Sequence, residues 1–135
     1  MQFKVLLSAV VFALILGFAS NSLANRLANP TKCPSTSAIL QVGLHRAHQF
    51  DLKNWWGVTE QLQYYDTKDG WQFKIGKFSA KDELDAITKA HKSLQTLRYK
   101  NGPNDEGTTR DGLEVWSCNY LTADGYQGEA LHFGW

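Results

Sequence analysis

The sequence predicts an α+β fold: an antiparallel sheet of about five strands, one long helix packed on a face of it, a short N-terminal helix and one disulfide. Three observations carry this. Apolar residues recur with a two-residue period over 44–75 and again over 113–135, while a single segment, 79–97, repeats at helical spacing. The connections between neighbouring strands are short, and short connections force antiparallel pairing. A small closed barrel with the helix at its mouth is the alternative.

The chain opens with the three parts of an export signal. Met1 to Lys4 give a charged start, Val5 to Phe18 an apolar run, and Ser22-Leu23-Ala24 a small-residue cleavage site, so residues 1–24 are expected to be removed before Asn25. The apolar run falls short of the roughly 20 residues a membrane-spanning helix needs. Residues 25–135 then form one α+β domain, secreted or periplasmic, with no membrane anchor after cleavage. Lys4 is the only charged residue ahead of Asn25, so of 14 basic and 13 acidic residues the mature domain keeps a neutral balance. Neutrality argues against nucleic acid as a partner, which calls for a basic excess.

Within the domain, Pro34 suits a first helical position, Ser35 to Ser37 a helix start, and Ile39, Leu40 and Val42 an apolar side ending at Gly43. Leu44 to Leu52 reads as a strand with Leu44, His48, Phe50 and Leu52 on one parity. After a turn at Lys53-Asn54, Trp55 to Tyr65 alternates with Trp56, Val58, Leu62 and Tyr64 on one face. Asp66 to Gly70 is a turn, and Trp71, Phe73 and Ile75 alternate with Gln72 and Lys74 in a third strand.

The long helix is capped by Ser79 and carries Asp82 and Glu83 in its first turn. Leu84, Ile87, Ala90 or His91, Leu94 and Leu97 form its packed stripe, and Asp85 stands four residues ahead of Lys89. Asn101 to Asp111 has no large apolar residue and reads as the longest loop. Leu113 to Leu121 and Gln127 to Trp135 are strands joined at Ala123-Asp124-Gly125.

Two cysteines in an exported chain, Cys33 and Cys118, read first as a disulfide, worth roughly 4 to 5 kcal/mol for so long a loop. The competing reading is a metal site in which both thiols join two of His45, His48, His91 and His132. Asn29 to Lys32 offer no lipobox ahead of Cys33, which argues against a lipid anchor there.

No local catalytic motif is present: no nucleophile elbow, phosphate loop or metalloprotease His-Glu-x-x-His. The expectation is therefore a non-enzymatic binding protein, with no catalytic residue and no resident metal. Candidate ligand residues are His45, His48, Trp55, Trp56, Tyr64 and Tyr65. A histidine or tyrosine can ligate haem iron. Adjacent aromatics on a strand point to opposite faces, so if the helix covers one face the other shows Trp55, Tyr65 and, further along, Trp116 and Tyr120. The plain alternative is that these aromatics are covered by the first helix or a tail, with the histidines half-buried or solvated.

The signal without a lipobox, the start Cys33-Pro34-Ser35-Thr36-Ser37-Ala38-Ile39, the single later cysteine and the aromatic-rich end resemble a family of small exported proteins from intracellular gammaproteobacteria. Its members are of unknown function or carry the name haemin-binding protein. The resemblance implies haem as a ligand and a part in iron acquisition. The other reading is a secreted interaction module, an inhibitor or virulence factor, that meets a host protein through Trp55-Trp56 and the Asn101 to Asp111 loop; a small hydrolase is a third. A small hydrophobic or aromatic ligand or a host protein is thus the expected partner.

Overall fold

Three aromatic or aliphatic residues of one parity, Trp71, Phe73 and Ile75, are fully buried and mark the centre of the molecule, while their neighbours Gln72 and Lys74 face the other way. The computed structural model describes residues 29–134; the expected export signal lies outside the described residues. In chain order the elements are α1 (Thr36–Val42), β1 (Arg46–Gln49), β2 (Asn54–Val58), β3 (Gln72–Ser79), α2 (Glu83–Leu94), β4 (Arg98–Thr108), β5 (Glu114–Leu121) and β6 (Gln127–Gly134). The class is α+β, with a six-stranded antiparallel sheet in the order β1-β2-β3-β6-β5-β4. It is open, with β1 and β4 as edges, rather than the barrel of the alternative reading. Two meanders, β1-β2-β3 and β4-β5-β6, meet along a seam where Phe73 opposes Ala130 and Ile75 opposes Gly128.

Both helices form where local chemistry allows. Ser35 caps α1, its hydroxyl accepting the Ala38 N–H at 3.1 Å, and Gly43 ends it at φ +72°. Pro34 therefore lies outside the helix rather than in its first position. It is fully buried, and its carbonyl accepts the Tyr120 hydroxyl. For α2 the cap is Asp82, which accepts from the Asp85 N–H at 2.8 Å, and not Ser79. An extended backbone at Asp82 starts the helix three residues later than the capping pattern suggested. Glu83 and Asp85 sit in the first turn and His91 and Lys92 in the last, both matching the helix dipole. The expected Asp85–Lys89 pair is present at 3.2 Å. Its buried residues are Ala86, Ala90, Ser93 and Leu94, while Leu84 is 74% exposed and falls outside the stripe.

Helix α2 packs on β1, β2 and β3, and the approach is close because Gly57 lies beneath Ala90. A Cβ at Gly57 would stand 2.8 Å from the Ala90 Cβ and 2.8 Å from Leu44 Cδ1. Ile39 of α1, Leu44, Phe73, Phe78, Leu94, Leu97 and Tyr120 complete the core on this face. Phe73 meets Tyr120 edge-on at 5.8 Å, and Phe78 meets Tyr126 at 4.2 Å.

Three expectations need correction. Asn101 to Asp111 is for the most part not a loop: residues 98–108 are edge strand β4, paired with β5 through three register shifts. Its residues are mostly exposed, so no buried face imposes an alternating pattern. The sheet accordingly has six strands rather than five, and the long helix ends at Leu94 after 12 residues. The first two strands are shorter than their alternation suggested. Phe50 and Leu52 lie beyond β1, Leu52 being 92% exposed, and Leu62 and Tyr64 lie beyond β2 in the connection to β3.

The disulfide forms as expected. Cys33 and Cys118 are bonded across a separation of 85 residues, which excludes the reading in which both thiols hold a metal. It ties the segment before α1 to β5. Gly102 of β4 passes so near that a Cβ there would meet the Ser117 carbonyl oxygen at 2.7 Å and Cys33 Sγ at 3.1 Å.

Candidate functional site

The face of the sheet that α2 leaves uncovered is built by strand parity. Opposite the buried Ala47, Gly57 and Ile75 run the outward residues Arg46 and His48 of β1, Trp56 and Val58 of β2, Gln72 and Lys74 of β3, and Gln127 and Glu129 of β6. Register brings Val58, Lys74 and Glu129 side by side. Two hollows lie along this face and share Lys74. One, about 520 Å³, is lined by His48, Val58, Glu60, Gln72, Lys74 and Leu131. The other, about 300 Å³, is lined by Trp56, Lys74, Lys100, Asn101, Asn119, Gln127 and Glu129. Their sizes bracket the lower half of the range usual for small-ligand sites, about 300 to 1,000 Å³.

Lys74 sits between them. Its ammonium is 3.5 Å from Glu129 Oε1 and 4.8 Å from the centre of the Trp56 ring, a cation–π distance. The Trp56 ring also rests against Gly76, where a Cβ would come within 3.1 Å of it, and meets Phe50 edge-on at 6.2 Å. Its indole N–H is buried and has no hydrogen-bond partner among the described residues. An unmade buried N–H of this kind costs about 1 to 3 kcal/mol.

At the other end His48 is exposed, with Nε2 3.2 Å from Glu60 Oε1. Glu60 also lies 3.6 Å from Arg46 Nη1, and Arg46 donates from Nε to Glu83 at 2.8 Å. The hydrogen bond from Arg46 is the main reason Glu83 is held below the usual carboxylate range.

The six residues picked from sequence are therefore dispersed. His48 and Trp56 share the uncovered face. Trp55 turns to the helix side, where its indole N–H donates to the Ala80 carbonyl at 3.1 Å. This reverses the expected assignment of the two tryptophans, because Trp55 shares its parity with Gly57, which lies beneath Ala90 of α2. His45 precedes β1 and is exposed. Tyr64, 61% exposed, and Tyr65 lie in the connection between β2 and β3. Tyr65 packs on the core, and burial pushes its phenol up to about 12. Tyr120, expected on the open face, is buried.

His91 Nε2 lies 3.4 Å from the Leu44 carbonyl oxygen, and His132 Nδ1 is 2.8 Å from that of Gly70 while its ring stands 5.5 Å from that of Trp71. Among the described residues no three His, Cys, Asp or Glu side chains gather as a metal site, and no helix is long and apolar enough to cross a membrane.

Sequence reasoning missed Lys74, Asn101, Asn119, Gln127 and Glu129 as groove residues. The signal for three of them was present: Lys74, Gln127 and Glu129 occupy the polar parity of strands whose apolar parity fills the core. Asn101 and Asn119 could not be placed while β4 was read as a loop. No protein-family model, curated protein or solved structure matches this chain.

Proposed function

We propose that the chain is an exported, non-enzymatic binding protein that takes a small ligand on the helix-free face of its sheet, and that haemin is the ligand of the larger hollow. One observation carries this reading: His48, the single histidine lining either hollow, stands at the edge of a 520 Å³ recess whose far side holds Lys74. A neutral imidazole supplies an axial nitrogen to haem iron. Lys74 supplies positive charge for a propionate, and Val58 and Leu131 supply apolar wall. Tyr64, Tyr65, His45 and Trp55 lie away from this recess and are not needed by it.

Haemin titration of the purified protein tests the reading. A saturable Soret change is expected, weakened in His48→Ala and unchanged in His45→Ala. A linear response equal to that of an unrelated protein, or one that both variants retain in full, would sink it.

The interaction-module reading keeps one specific support. Strand β4, where the loop was expected, is an exposed sheet edge whose backbone can pair with an added strand. Trp55, anchored through Ala80, does not contribute to that edge.

A further inference from the structure

We propose, independently of the haemin reading, that the turn between β1 and β2 docks on the surface of a bilayer containing anionic lipid. The turn runs from Phe50 to Lys53, and its apex is apolar. Leu52 is 92% exposed, more than any other large apolar side chain among the described residues, and Phe50 beside it is 66% exposed. Short bonds hold the turn in one shape. The Phe50 N–H donates to the Asn54 carbonyl at 2.8 Å, and Asp51 Oδ1 accepts the backbone N–H groups of Lys53 and Asn54, both at 3.1 Å. The Asn54 side-chain amide closes on both Asp51 carboxylate oxygens at 2.9 Å. Docking through a turn already fixed in this way orders little backbone that was free beforehand.

The charges around the apex favour an anionic surface. Lys53 lies in the turn, Lys77 stands over the Phe50 ring at 5.3 Å, and Lys81 follows shortly after Ser79, the strand partner of Asn54. All three are exposed, and none forms an ion pair among the described residues. Lys77 lies near Asp51 without pairing to it, and that carboxylate is taken up by the N–H groups of its own turn. The acids that open α2 are engaged as well: Asp82 caps the helix, Glu83 pairs with Arg46 and Asp85 with Lys89. A second exposed apolar pair, Leu62 and Tyr64, has the opposite setting, because its connection carries Glu60, Asp66 and Asp69 against Lys68 alone. Shape favours a bilayer over a protein. A convex apex of two side chains falls well short of the roughly 800 Å² that each partner brings to a stable protein interface. Acyl chains, by contrast, close around a protrusion while the cations beside it meet lipid phosphates.

Vesicle sedimentation tests the proposal. The exported protein, freed of residues 1–24 so that the apolar run of the signal contributes nothing, is spun with vesicles of equal parts phosphatidylglycerol and phosphatidylcholine, and with vesicles of phosphatidylcholine alone. Binding to the mixed vesicles is expected, with weaker binding to the neutral ones. Leu52→Ser and Phe50→Ser should each weaken the former by about tenfold, the effect of leaving one large apolar side chain out of the lipid. Lys53→Gln and Lys77→Gln should each weaken it by about fivefold, on the mixed vesicles only. Leu62→Ser and His48→Ala should bind as the parent does, which separates this surface from the other apolar pair and from the haemin recess. Because Leu52 meets almost nothing but solvent, Leu52→Ser should keep the parent Tm, so lost binding is not lost folding. Absence of vesicle binding, binding that Leu52→Ser leaves intact or that Leu62→Ser reduces as much, or equal binding to the two kinds of vesicle would each overturn the proposal. So would a dimer that Leu52→Ser dissociates in analytical ultracentrifugation while vesicles fail to bind, which would assign the apex to a second copy of the chain.

Discussion

Replacing Gly57 by alanine should destabilise the domain, although the same change in most strands would help. Gly57 has no left-handed backbone to protect, and removing a strand glycine ordinarily gains about 0.5 to 1 kcal/mol. Here the added methyl would stand 2.8 Å from two atoms. Leu44 Cδ1 is the end of a side chain that can rotate away. The Ala90 Cβ cannot, because it is fixed to α2, so helix and sheet must separate by about 0.7 Å to restore a contact near 3.5 Å. Overpacking of this kind costs about 1 to 3 kcal/mol, which leaves a net loss of about 1 to 2 kcal/mol after the strand gain. For a domain of this size that lowers Tm by about 5 to 15 °C.

Ala90→Gly provides the internal check. Alone it should cost about 1 kcal/mol of helix propensity. In the Gly57→Ala background it removes the clashing atom, so the double variant should be more stable than the sum of the two losses by about 1 kcal/mol. Thermal and urea melts of the four proteins by circular dichroism measure all the terms. A Gly57→Ala protein within about 0.5 kcal/mol of the parent, or strict additivity in the double variant, would refute the close helix–sheet approach.

Two further outcomes concern the linkages that hold the halves together. Replacing Cys33 and Cys118 by serine releases a loop of 85 residues, and urea melts should show a loss of about 4.5 kcal/mol, matched by the parent in reducing agent; a loss below about 1 kcal/mol would contradict the loop-closure account. Asp124 accepts hydroxyl bonds from Ser93 and Thr122, each at 2.6 Å, and these hold its carboxyl below the usual range. Its folded pKa lies below the unfolded one, so its contribution is complete above about pH 4 and fades as pH falls through the folded value. Asp124→Asn should therefore flatten the fall in stability between about pH 5 and pH 2, and an unchanged pH profile would show that the two bonds carry no linkage.

The parts legible in the sequence were those with one buried face. In β3 the alternation of Trp71, Phe73 and Ile75 with polar residues matches the burial, because α2 and α1 cover one side only. The α2 stripe was readable at Ala90 and Leu94, with Leu97 buried just beyond the helix end, and the cysteine pairing followed from an even count. β4 could not be read, since Arg98 to Thr108 has no buried face to impose a period and is interrupted by register shifts. The tryptophan pair failed for a different reason: alternation gives relative parity but not which parity faces the core. Gly57 decides it, and a glycine carries no hydropathy signal even when the helix rests directly on it. The site followed suit, with Lys74 visible as an outward residue but Asn101 hidden in the unread strand.

The seam between the meanders also orders assembly in time. Each meander is made of neighbours in sequence, so its hairpins close over short loops and can form early. The central pairing of β3 with β6 must wait for Gln127 to Gly134, the last strand of the chain to emerge. Until then the strand with the most buried residues presents a bare edge. A chain cut after Leu121 would keep both described helices and five of the six described strands and yet expose Phe73 and Ile75 along that edge, so C-terminal truncation endangers solubility far more than the loss of one strand suggests.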